Sequence, residues 1–113
     1  MVMEAALREK YLSPPVDALC DLRNVGPVTR KTFRLLGIET LEQLAAQNAD
    51  DLFRRLSEMR GERVDPCVHD IFSATIHQAR TGDALLWWHF SDARKQRQKA
   101  GTFPKSHQDA RRR

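Results

Sequence analysis

Only two cysteines, Cys20 and Cys67, occur in the 113 residues. They make no disulfide framework, and reduced thiols in a cytoplasmic setting are expected. Long apolar runs are missing as well. No stretch approaches the roughly 18 apolar residues of a membrane helix. The opening residues, MVMEAALREKYLSPP, hold no apolar core followed by a cleavage pattern, so no export leader is expected. Nor does any segment alternate convincingly with period two, which speaks against a sheet. Metal-ligand spacing is absent too. There is no CxxC and no HxxxH, and the four histidines, His69, His77, His89 and His107, are scattered. Neither a metal nor another cofactor is expected. A last absence is local. In a chain with 15 acidic residues, none falls between Asp21 and Glu39.

What is present has helical spacing. Glu4 to Tyr11 can form a short helix that stops before Pro14-Pro15. PVDALCDLRNV follows, with Val16, Leu19, Cys20 and Leu22 near helical period. Asn24-Val25-Gly26 breaks it, and Pro27 suits the first turn of a new helix. Val28, Thr32, Phe33, Leu35 and Leu36 continue the apolar pattern, and Gly37 suits a helix end. Thr40 and Gln43 have the spacing of a capping box. Asn48 can cap the next helix, with Asp50 and Asp51 in its first turn, Leu52, Phe53, Leu56 and Met59 inward, and Gly61 at its end. Asp65-Pro66 starts a further helix, in which Val68, Ile71, Phe72, Thr75, Ile76 and Ala79 form the most regular stripe before Gly82. The expected fold is all-α: a compact bundle of five or six short helices. It divides into an N-terminal arm (1–14), a helical domain (15–93) and a basic tail (94–113).

Charge is unevenly placed. The chain carries +4, but residues 94–113 carry +7 and residues 1–93 carry −3. The basic character therefore lies in the tail and in one patch, Arg23, Arg30, Lys31 and Arg34, around Gly26. The tail has almost no apolar residues; a helix can extend through Gln98, and disorder is expected beyond it.

A helix, a tight glycine turn and a second helix suit a phosphate backbone. The start of a helix leaves N–H groups without internal partners, and its dipole favours anions. Gly26 lacks a side chain to hold a phosphate away. Val28 and Thr29 follow the turn, and Thr29, Arg30 and Lys31 can surround one anion while Arg34 reaches the next. Such contacts fix position without reading sequence. The segment LRNVGPVTRKTFRLLGIETLEQLA resembles the helix–hairpin–helix of DNA-repair and recombination proteins, and the C-terminal module of competence-regulator-type proteins. With VDPCVHDIF and WWHF added, residues 17–92 resemble the bacterial pathogenicity-locus family, also labelled mitomycin-resistance proteins. The resemblance implies a helix–hairpin–helix fold and DNA, with a link to repair or damage resistance, and no reaction. One departure stands out. Asn24 occupies the place of the first glycine in the usual Gly-apolar-Gly hairpin; asparagine still tolerates the left-handed conformation. IETLEQLAAQNADDLFRRLSEM is expected to form a second, degenerate hairpin of structural rather than DNA-binding role, because acids sit at its turn.

Two readings of function stay open. In the first, Arg23, Asn24, Gly26, Val28, Thr29, Arg30, Lys31 and Arg34 hold a DNA backbone, with the tail adding affinity. In the second, the domain binds a protein surface, anchored by Trp87, Trp88 and Phe90. Trp87 and Trp88 are adjacent, so one is expected to pack and the other to face outward. Catalysis is not expected. Cys67 near a helix start invites a lowered thiol pKa, but its place beside Val68 favours a core cysteine, and Cys67 and His69, two apart, diverge on a helix.

Overall fold

A computed structural model describes residues 18–105. The expected N-terminal helix, and the tail from residue 106, lie outside the described residues. Those described form five α-helices and two 3-10 turns, with no strand. Ala18–Asp21 is a 3-10 turn. α1 spans Pro27–Leu35, α2 Leu41–Ala45, α3 Ala49–Arg60, α4 Cys67–Thr81 and α5 Ser91–Ala100; the second 3-10 turn, Trp87–Phe90, precedes α5. The all-α expectation holds.

The helix boundaries follow local chemistry. Thr40 accepts a hydrogen bond from the Gln43 N–H at 3.0 Å, and Gln43 Oε1 accepts from the Thr40 N–H at 3.2 Å. This reciprocal pair satisfies two donors that the start of α2 leaves without helical partners. Asn48 does the same for α3 by accepting from the Asp51 N–H at 3.1 Å. α3 ends at Gly61 and α4 at Gly82, both left-handed. Asp65 accepts from the Cys67 N–H at 2.9 Å and so holds the start of α4. Arginines satisfy two other helix ends. Arg55 donates to the Leu36 carbonyl, and Arg80 to those of Ala45 and Gln47.

α4 is the central helix, touching α2, α3, the second 3-10 turn and α5. Phe33, Leu44, Leu52, Phe53, Leu56 and Phe72 fill the core beside it, with the Phe33 and Phe72 rings 5.9 Å apart. Burial of such side chains is the main stabilising term, on the order of 1.5–3 kcal/mol each. Some expected inward positions face out instead. Val28 and Leu35 are exposed, because Thr32 and Phe33 already fill the side of α1 that faces the core, and Met59 is exposed on α3, whose inward side is filled by Leu52, Phe53 and Leu56.

The basic segment was expected to begin at residue 94, with a helix able to run through Gln98. α5 runs through both positions, and its two arginines point inward. Arg94 donates to Asp70 from Nε at 3.2 Å and from Nη2 at 2.8 Å, and Ser91 Oγ donates to the same carboxylate at 2.8 Å. Arg97 forks onto Asp50 at 2.9 and 2.8 Å and also donates to the Thr102 carbonyl. Phe103 then packs edge-on against Phe53 and His69, with centroids 5.3 and 4.8 Å away. Ion pairs, rather than an apolar stripe, attach this segment, so its inward packing leaves no apolar pattern in the sequence.

Candidate nucleic-acid interface

The turn between the first 3-10 turn and α1 is held from several sides. Val25 N–H donates to Leu22 O at 3.2 Å. Arg23 N–H donates to the buried Gln78 side chain at 3.0 Å. Asn24 takes φ 74, the left-handed conformation expected of it. Its side chain adds something a glycine could not. Asn24 Nδ2 donates to Leu85 O at 2.9 Å, and Asn24 Oδ1 accepts from the Trp87 N–H at 3.0 Å. Asn24 therefore braces the turn against the segment before α5, and its amide is engaged within the fold.

Gly26 precedes α1 with φ −95 and ψ −174, an extended conformation open to any residue and one that a following proline favours. A Cβ built on Gly26 would meet nothing within 4 Å. Neither backbone conformation nor internal crowding requires glycine here. Arg30 N–H makes the first helical bond, to Gly26 O at 3.0 Å. The N–H groups of Gly26, Val28 and Thr29 have no hydrogen-bond partner among the described residues, and Pro27 has none to offer.

The cations sit beside these donors. Gly26, Arg30, Lys31 and Arg34 share one open cleft of about 410 Å³ with Val25 and Pro27. Arg23, Arg30, Lys31 and Arg34 are all exposed. Among the described residues, Arg30, Lys31 and Arg34 have no ion-pair partner. Other predicted residues lie elsewhere. Arg23 is exposed but does not line this cleft. Val28 faces a neighbouring groove with Leu35 and Arg60, while Thr29 lines a cleft toward Leu56 and Val68. Arg60 was not anticipated. It arrives from the end of α3, so no local spacing in the sequence could place it beside α1.

The other candidates resolve differently. Trp87 and Phe90 are partly buried, and Trp88 is exposed. Cys67 is partly buried, and burial, with the nearby Asp65 carboxylate, pushes its thiol pKa up. A raised pKa disfavours the thiolate needed for nucleophilic chemistry. At the start of α3, Asp50 is occupied by Arg97 and His69, and Asp51 by Arg54.

Known proteins complete the picture. A match to the family described as Cdd1, pathogenicity locus, covers residues 14–96. The chain belongs to the Cdd1 pathogenicity-locus family. It is also 35% identical over 77 residues to the mitomycin resistance protein McrB of Streptomyces lavendulae, covering 68% of this chain and 73% of that one. No solved structure matches. The Cdd1 match takes in the Gly26 turn, the Trp87-Trp88 segment and Arg94 of α5, and ends one residue before Arg97. No described helix is long and apolar enough to cross a membrane.

Proposed function

We propose that this Cdd1-family chain uses the Asn24–Gly26 turn and α1 as a helix–hairpin–helix that binds the DNA phosphate backbone without reading sequence. The observation that carries the proposal is the shared cleft. Three cations without an ion-pair partner among the described residues, Arg30, Lys31 and Arg34, stand around a glycine that neither backbone conformation nor crowding requires. Unpartnered N–H groups at the start of α1 supply further donors for a phosphate oxygen. The relative's name speaks of mitomycin resistance. We extend to this chain a role in damage resistance exercised through DNA. Binding rather than catalysis is proposed, and the raised pKa of the Cys67 thiol supports that choice.

A titration of labelled duplex DNA over a range of salt tests the proposal. Arg30→Ala with Lys31→Ala should weaken binding to all sequences alike and lower the log–log salt slope by roughly one to two. Gly26→Ala should fold, since the added methyl has open space and the cost is limited to alanine's weaker N-capping, and still weaken binding. Parent-like affinity in both folded variants, or no binding by the parent near physiological salt, would overturn the reading.

A second reading has its own support. Val28 and Leu35 are 74% and 52% exposed. They line a groove of about 500 Å³ with Lys31, Arg34 and Arg60. An apolar floor with a cationic rim suits an acidic protein surface. In that case the charge variants would leave DNA unaffected.

A further inference from the structure

Backbone binding at the Gly26 turn leaves the neighbouring aromatic segment without a role. Trp88 is 54% exposed, a large apolar surface to leave in water. Its chain neighbours flank it. Trp87 meets it edge-on at 5.9 Å and 78°, and His89 lies nearly parallel to it at 6.3 Å and 22°. The turn that carries it packs on α4 and α5. An exposed ring carried on a packed turn offers a flat apolar face to a partner.

The link to the hairpin is direct. Asn24 holds Leu85 O and Trp87 N–H with the two ends of one amide. Consecutive Cα atoms are about 3.8 Å apart, so the short path from Gly26 through Asn24 and Trp87 to Trp88 spans at most about 20 Å. A few nucleotides of one strand cover that distance, at about 3.4 Å each when stacked in a duplex. In an intact duplex the base faces are covered by their neighbours. Only an unpaired base offers a face to an indole, and such stacking tolerates any base.

We infer that Trp88 stacks on an unpaired base of the strand whose phosphates lie at the Gly26 turn, so that the preferred ligand is DNA with a junction between duplex and single strand. This rests on the backbone-binding reading and adds the kind of DNA. Asn24 sets the spacing between the phosphate cleft and the stacking ring. It is a positioning residue rather than a DNA contact.

Three probes test this: a blunt duplex, the same duplex with a thymidine overhang, and the same duplex with an abasic overhang, which keeps the phosphates and removes the bases. The overhang should bind tighter than the blunt duplex, and the abasic form should lose the gain. Trp88→Ala should weaken overhang binding about tenfold and leave the blunt duplex unchanged. Trp88→Phe should keep most of the affinity and abolish the fluorescence quenching that the overhang causes in the parent. It also serves should the alanine variant fail to fold. Arg30→Ala with Lys31→Ala should weaken all three probes. Equal binding of thymidine and abasic overhangs, or a folded Trp88→Ala that binds the overhang like the parent, overturns the stacking and leaves the hairpin reading standing. If no probe binds, both fall.

Discussion

At the scale of single residues, the most consequential finding is His69. It is 6% exposed, and its Nε2 lies 2.7 Å from Asp50 Oδ1. The Arg97 guanidinium, with help from His69, holds the Asp50 carboxyl down at about 2 against an ordinary 3.8. The ionised carboxylate accepts, so His69 Nε2 carries the proton. Nδ1 is buried with no hydrogen-bond partner among the described residues. Protonating it would bury a second N–H without an acceptor, and burial accordingly keeps the His69 pKa below its ordinary 6.5. The unfolded chain therefore takes up the histidine proton first. Stability should begin to fall as pH drops below 6.5, and fall again between 3.8 and about 2 as the Asp50 advantage disappears. Urea midpoints across pH should show both stages, and His69→Gln should remove the upper one. A parent whose midpoint is flat from pH 7 to 5 would show that His69 titrates alike in the folded and unfolded chain.

At the scale of elements, what was legible in the sequence was local. Thr40 with Gln43, Asn48 before Asp51, and the closing glycines at 61 and 82 each act within a few residues, and each element begins or ends where they place it. The packing of α5 was not legible. Its anchors, Arg94 and Arg97, meet partners 24 and 47 residues away, and nothing in SDARKQRQKA marks which arginines turn inward. The candidate cleft falls between these cases. Gly26, Arg30, Lys31 and Arg34 lie within nine residues of sequence and could be read together, whereas the exposure of Val28 and Leu35 depends on which side of α1 the core already fills. The packing of α5 carries a prediction. Ending the chain after Ala93 removes Arg94 and leaves Asp70, fully buried, without its cation. Breaking such a pair costs about 3–5 kcal/mol, a large share of a small domain's stability. That truncation should lose its cooperative urea transition, while ending the chain after Lys105 should keep it. A cooperative transition in the shorter protein, near the parent's midpoint, would mean α5 contributes little.

At the scale of the whole molecule, charge divides by position. Asp50 and Asp70 draw two cations of α5 into internal pairs. Lys31 and the arginines around Gly26 stay outward, and residues 106–113 add Arg111, Arg112 and Arg113 against the single acid Asp109. If the α1 cleft and this terminal run meet different phosphates, their counterion effects should be separable. Each neutralised phosphate contributes about 0.9 to the salt slope on duplex DNA. Removing residues 106–113 should therefore lower the slope by up to about two to three and leave the urea midpoint unchanged. Combined with Arg30→Ala and Lys31→Ala, the two losses of slope should add, as independent sites do. The pattern of failure is informative. An unchanged slope on truncation would exclude the terminal arginines from the complex. A truncated protein that binds no DNA, with its fold and its Gly26 cleft intact, would make the terminal run the binding element and α1 a bystander.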